Sequence, residues 1–217
     1  MPTITQISEQ RRKANRRNVY LDGAFAFACN LNVVAKFRLR DGLVLSDDEV
    51  VEIKQGEVRQ ECYDHAMRFL ERRMHSRNEL KTKLSRREHD AATIESVLDS
   101  LQASGYVDDA KFAQANVESS AKNRHHGRRR AAIELLKKGV KGEDARKALE
   151  NVYDTHDSLS VARGLAQKKA KSLAKLDPQV ARRRLAGMLM RRGFEYDVVR
   201  PVIDEVLGNH DGDAADS

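Results

Sequence analysis

Arginine and lysine recur at fixed places in this chain. With Leu84, Leu135 and Leu189 taken as equivalent points, Arg77, Arg128 and Arg182 stand seven residues upstream. The pairs Arg86-Arg87, Lys137-Lys138 and Arg191-Arg192 follow two and three residues downstream. The second and third upstream arginines open the triplets Arg128-Arg129-Arg130 and Arg182-Arg183-Arg184. Such clusters do one kind of chemistry: guanidinium and ammonium groups grip phosphate or carboxylate oxygens and break no bond. Both triplets read as the first turns of helices, where each cation opposes the macrodipole by about 0.3–1 kcal/mol, so local stability does not account for them. Residues 122–141 hold eight Lys/Arg against Glu134 alone, and Lys168 and Lys169 lie in an acid-free basic stretch, 163–175. The candidate contacts to a partner or DNA are therefore Arg77, Arg128, Arg129, Arg130, Lys137, Lys138, Lys168, Lys169, Arg182, Arg183, Arg184, Arg191 and Arg192.

Chemistry of other kinds has little to work with. No phosphate-binding glycine loop, HExxH or GxSxG occurs, and the histidines and acids are scattered, so the chain reads as non-enzymatic and without a cofactor. Asp108-Asp109 reads as a helix cap rather than a metal site, because no third ligand is near. His125-His126 reads as solvated polar residues, and Cys29 and Cys62 as reduced thiols in apolar niches. A net charge of +7 favours a polyanionic partner or an acidic protein surface. Trp is absent and the Phe and Tyr residues sit at core-like, hairpin or helix-start positions, which argues against a stacking platform for single strands. Weak, nonspecific DNA affinity is expected, and a DNA-binding transcription regulator built from helix-turn-helix units is the alternative reading.

The elements that position these cations repeat. The reference leucines are 51 and 54 residues apart, and each is followed by the apolar face of another helix: Ile94/Val97/Leu98, Ala145/Ala148/Leu149 and Val199/Val202/Ile203. The chain is thus expected to be mainly α: three tandem three-helix, helix-turn-helix-like modules in an elongated array, with a small N-terminal β-hairpin. The expected divisions are a basic flexible arm (1–17), a hairpin-and-helix segment (18–56), modules at 57–106, 107–156 and 157–207, and an acidic flexible tail (208–217). Asp22-Gly23 marks the hairpin turn, and Ser46-x-x-Glu49 and Ser76-x-x-Glu79 mark capping boxes. One helix is expected to end near Gln55 and another to run from about Glu57 to Arg73, and Pro201 to kink or delay the last helix. The first residues carry no signal-peptide pattern and no run of about 18 apolar residues occurs, so a soluble, cytoplasmic protein is expected, with no membrane role.

Several stretches resemble the RecX family, bacterial regulators of the RecA recombinase. They are Asn18-Val19-Tyr20-Leu21-Asp22-Gly23, Ser76-Arg77-x-Glu79-Leu80-x-x-Lys83-Leu84, Gly105-Tyr106-Val107-Asp108-Asp109-x-x-Phe112-Ala113, and Gly127-Arg128 with Leu136-Lys137-x-Gly139-Val140. The resemblance runs from about residue 18 to 207; Glu88 stands where the family often has glycine, and Pro201 lies inside the last helix. It implies a non-enzymatic protein, expected here as a monomer. Such a protein lies in the groove of the RecA filament on single-stranded DNA and modulates, mostly inhibits, strand exchange, ATP hydrolysis and co-protease activity. Tyr106, Asp108, Asp109 and Phe112 read as structural members of the motif.

Overall fold

The structure, a computed structural model, describes residues 1–11, 13–154 and 157–208. It divides into two compact units meeting between Val107 and Asp108. The first begins with an antiparallel sheet ordered β1 (Ile4–Gln10), β2 (Lys13–Leu21), β3 (Ala24–Asn30). Asp22 and Gly23 turn the β2–β3 hairpin with φ of 48° and 84°, the double positive φ that Asp-Gly supplies at little cost. The expected flexible arm is thus a correction: Ile4 and Ile7 supply apolar side chains and β1 pairs with β2 along its length. Arg12 lies outside the described residues, as does the expected acidic tail beyond Gly208.

Two helices follow, α1 (Leu31–Lys36) and α2 (Asp47–Leu70). Ser46 and Glu49 form the expected capping box at the start of α2. The helix then runs through Gly56 for 24 residues, where two helices were expected. Gly56 is tolerated mid-helix, at about 1 kcal/mol relative to alanine, because the Phe37 ring packs on it. A Cβ there would stand 2.6 Å from Phe37 Cε2. The C-terminal half of α2 packs with α3 (Arg77–Ser85) and α4 (Ala91–Ala103) around the fully buried Leu80, Leu84 and Leu98.

The second unit holds α5 (Asp109–Lys122), α6 (Arg128–Lys137), α7 (Gly142–Tyr153), α8 (Ser158–Ala170), α9 (Pro178–Arg191) and α10 (Tyr196–Leu207). Each triplet encloses its own core, one centred on Leu135 and the other on Leu185 and Leu189. The three reference leucines are fully buried, which is why they recur. Third-helix residues at equivalent places fill the same cores, although α7 offers Ala145 and Ala148 where its counterparts carry Ile or Val; Phe112 and Tyr153 make up that volume. Helix α10 passes through Pro201 without a late start. Asp108 caps α5 by accepting from Lys111 N at 2.9 Å, and Asp177 caps α9 by accepting from Gln179 N and Val180 N. Cys29 and Cys62 are buried free thiols, each pushed up to about 11 by burial.

A buried imidazole sets part of the pH response. His75, 3% exposed, holds the α2–α3 corner: its Nδ1 lies 3.2 Å from Glu79 Oε2 and its Nε2 3.5 Å from Lys83 Nζ. A neutral ring that donates from Nδ1 and accepts at Nε2 satisfies both partners, whereas a proton on Nε2 would face the ammonium. Burial, with Arg73 next, lowers its pKa; burial also lowers those of His65, with His89 against it, and His126. The folded protein therefore binds fewer protons than the unfolded chain below the ordinary histidine value of about 6.5. Stability should be flat from about pH 6.5 to 8, fall beneath that range by at most about 1.4 kcal/mol per pH unit per group before carboxylates titrate, and fall again above it as the Cys29 and Cys62 thiols lose their protons more readily in the unfolded chain. Urea midpoints at pH 7.5 and 5.5 check this, and a His75→Gln variant should show the shallower slope.

Candidate partner-binding surface

Acids at equivalent places decide what the repeated arginines do. Arg77 Nη2 donates to Asp99 Oδ1 at 2.7 Å and to Glu95 Oε2 at 2.6 Å, and Nη1 to Gln102. Arg182 pairs with Asp204, again 22 residues on, and donates to Gly208 O. In the middle module the residue 22 positions after Arg128 is Glu150. It accepts both contacts of Arg146 Nη1, at 2.8 and 2.9 Å, which leaves Arg128 a 3.2 Å contact to Asp154. Arg77 and Arg182 thus tie the middle helix of a module to its third helix, a local role their sequence positions did not reveal. The dipole argument also weakens in the third module. Helix α9 starts at Pro178, so Arg182-Arg183-Arg184 lie in its second turn rather than its first.

Glu134, the lone acid of residues 122–141, is a hub. Its carboxylate accepts from Arg124 at 2.7 Å, lies 3.3 Å from His126 Nδ1 and 3.5 Å from Arg130 Nε, and accepts from Ser120 Oγ at 3.3 Å. It joins α5 and the following loop to α6 and occupies Arg124 and Arg130. Glu134→Gln should destabilise the fold by about 2 kcal/mol, the scale of hydrogen bonds to a charged group. Urea unfolding of the two proteins side by side measures this.

Backbone contacts then gather cations from two modules. Gly127 N donates to Arg192 O at 2.9 Å and Arg129 N to Gly193 O at 3.2 Å, so the N–H groups at the start of α6 meet carbonyls just past the end of α9. Opposite helix-dipole ends face each other there. Arg192 Nη1 also donates to Arg124 O at 3.2 Å. The backbones of Arg128-Arg129-Arg130 and Arg191-Arg192 are thereby brought together.

Four of the cations that remain available, Arg129 and Lys137 on α6 and Arg183 and Arg191 on α9, fall on equivalent helix faces. Arg129, Lys137, Lys168, Lys169, Arg183, Arg184 and Arg191 are exposed and pair with no carboxylate among the described residues. Lys138 lies over the Phe112 ring at 5.5 Å. On α6, Arg129, Ile133, Leu136 and Lys137 share one face by i, i+4, i+7, i+8 spacing. The equivalent residues of α9 are Arg183, Gly187, Met190 and Arg191, and those of α3 are Asn78, Thr82, Ser85 and Arg86. Leu136 is 57% exposed, Met190 47% and Ile133 40%. Apolar side chains ringed by unpaired cations suit a protein surface that is acidic with apolar points; a bare phosphate backbone would use only the charges. The signal for this face was in the sequence, as Leu136 and Met190 sit beside the basic pairs.

Comparison with known proteins fits this architecture throughout. Residues 2–46 match the Regulatory protein RecX N-terminal domain, and residues 62–101, 108–149 and 156–203 match the first, second and third three-helix domains of RecX. The chain belongs to the RecX family. Regulatory protein RecX of Bacillus subtilis (strain 168) is 30% identical over 213 residues, covering 98% of this chain and 80% of that protein. Regulatory protein RecX of Bacillus licheniformis is 32% identical, covering 98% of this chain and 81% of that protein. A crystal structure of regulatory protein RecX superposes with a TM-score of 0.79 at 23% identity, over 94% of this chain and all of that one. These relatives are named as regulatory proteins. Among the described residues of this RecX-family chain, no group of three His, Cys, Asp or Glu is placed to hold a metal, and no helix is long and apolar enough to cross a membrane.

Proposed function

We propose that this RecX-family chain regulates the RecA recombinase, mostly by inhibition. It would do so as a cytoplasmic, non-enzymatic monomer that lies in the groove of the RecA filament on single-stranded DNA. The observation that carries this reading is the matched cation-and-apolar face on α6 and α9, with Arg129 and Lys137 on one helix and Arg183 and Arg191 on the other. Repetition on successive modules lets one chain engage successive protomers of a polymer, and two weak contacts joined by a rigid spacer bind far more tightly than either alone. Arg128, Lys168, Lys169 and Arg184 would add electrostatic contacts to acidic protein surface or to DNA phosphates. Restraint of strand exchange and of co-protease activity in DNA repair would follow from holding protomers in one arrangement.

At α6 the backbone contacts weigh against the transcription-regulator reading. The backbone at the start of α6, which a helix-turn-helix protein would turn to the major groove, is engaged by Arg192 O and Gly193 O. The test is a titration of the folded chain into RecA filaments from the same organism, following DNA-dependent ATP hydrolysis. Hydrolysis should fall at ratios well below one chain per protomer, and an unchanged rate up to equimolar chain would refute the proposal.

A further inference from the structure

A groove runs between α9 and α10 on the third module, and its two ends differ in character. Its floor is apolar, formed by Ala186 on α9 with Val199 and Ile203 on α10. Met190 and Tyr196, the latter 66% exposed, stand at the end where the chain turns from one helix to the other. The opposite end holds Arg182 and Arg183, because the helices run antiparallel: Arg182, early in α9, pairs with Asp204, late in α10. Arg200 lines the groove between the two ends.

The charges of the groove are positive on balance. Asp204 is held by Arg182, and Glu205 by Arg163 at 2.8 Å. Asp197, in the first turn of α10, accepts from Val198 N and lines no part of the groove. Arg183 and Arg200 are exposed and pair with no carboxylate among the described residues. The chain leaves the third module beside them. Arg182 Nη1 donates to Gly208 O at 2.7 Å, and Gly208, with φ of 79°, ends α10. The next nine residues, Asn209-His210-Asp211-Gly212-Asp213-Ala214-Ala215-Asp216-Ser217, lie outside the described residues and carry three aspartates with no Lys or Arg.

We propose that residues 209–217 dock in this groove and cover the α9 face, an autoinhibitory contact that an acidic partner must displace. The reach fits. Counted back along α10 from Gly208 at about 1.5 Å per residue, Asp204 and its partner Arg182 lie about 6 Å away, Arg200 about 12 Å and Tyr196 about 18 Å. An extended chain covers about 3.3 Å per residue, so Asp211 reaches the level of Arg183, Asp213 that of Arg200, and Ala214-Ala215 the apolar end at Met190 and Tyr196. Tethering favours this occupant over a free acidic chain, because it holds the aspartates at on the order of 1 mM beside the groove. Arg183 and Met190 belong to the face assigned above to the filament. The inhibitory role therefore rests on that reading, whereas the contact itself does not.

The test is hydroxyl-radical footprinting of the full chain at low salt, read by mass spectrometry at Met190 and Tyr196. The comparison is a variant with Asp211→Ser, Asp213→Ser and Asp216→Ser, which alters no residue of the folded modules. A contact with a Kd of ~0.5 mM, met at about 1 mM, protects about threefold, so both side chains should oxidise roughly threefold faster in the variant. Met74, 48% exposed in the other unit, and Leu136 on α6 should oxidise equally in the two proteins. The radical carries no charge, so a difference reports contact rather than field. Equal oxidation of Met190 and Tyr196 in the two proteins would overturn the proposal, whether the groove is open or covered by a second copy. In co-sedimentation with RecA filaments the variant should bind roughly threefold tighter than wild type, by release of the same contact. Equal affinity with the protection present would overturn the inhibitory role. Failure of both proteins to bind filaments while protection persists would count against the filament reading alone.

Discussion

Replacing Gly193 with alanine should cost about 3 kcal/mol, the largest single effect expected in this protein. Two penalties add at that position. Gly193 has φ of 87°, a conformation that costs an L-residue about 1–2 kcal/mol. Its new Cβ would also stand 2.3 Å from Arg130 N and 2.4 Å from Arg130 Cβ, so the end of α9 must back away from the start of α6 at a cost of about 1–3 kcal/mol. Two companions separate these terms. Gly142→Ala has the strain without the contact, with φ of 65° and nothing within 4 Å of the new Cβ, and should cost about 1 kcal/mol. Gly127→Ala has the contact without the strain, 2.3 Å from Gly193 O. Urea denaturation should rank Gly193→Ala worst, and hydrogen exchange should speed at the Gly127 and Arg129 amides, which Arg192 O and Gly193 O protect. If Gly193→Ala cost no more than Gly142→Ala, the two modules would not be joined through this seam.

The double reversal Arg129→Glu, Arg183→Glu should separate stability from binding. Both side chains are exposed and neither is paired with a carboxylate among the described residues, so their removal breaks no ion pair there. At the second position of α6, glutamate suits the helix dipole better than arginine does, by about 0.3–1 kcal/mol. The variant should therefore melt at or slightly above the wild-type temperature. Affinity for an acidic partner should move the other way. Each reversal replaces an attraction with a repulsion, and together they should weaken binding about 100-fold at low salt, less as salt rises. Leu136→Ala with Met190→Ala should give the complementary loss, smaller and insensitive to salt. Calorimetry for the first claim and filament binding for the second make the two signs independent observations.

How much of this was legible depended on whether the cause was local. Leu84, Leu135 and Leu189 announced the modules because a buried helix face leaves a 3.6-residue trace, and Ser46, Asp108 and Asp177 announced their helices because a cap acts within three residues. The continuity of α2 was not legible. Gly56 looks like a break, and the Phe37 ring that packs on it comes from another element. Strand β1 was hidden because shifts between Ile4 and Gln6, and between Glu9 and Gln10, interrupt the two-residue alternation. The bulge at Ala26 misdirects the same pattern at Phe25. The charges were the least transparent. Counting could place Arg77 and Arg182 near other cations, but their partners Asp99 and Asp204 lie 22 residues away on a different helix. That shared spacing was the available clue. Its third instance, Glu150, is held by Arg146, which shows why one module departs from the others.

The most direct test of the central claim is co-sedimentation of the labelled chain with preformed RecA filaments on single-stranded DNA, comparing wild type with the Arg129→Glu, Arg183→Glu variant. Wild type should pellet with filaments far more than with DNA alone at the same salt, and the folded variant should stay largely in the supernatant. Equal pelleting of the two proteins would contradict the assignment of the α6 and α9 faces, and failure of wild type to pellet with filaments at all would contradict the account of function.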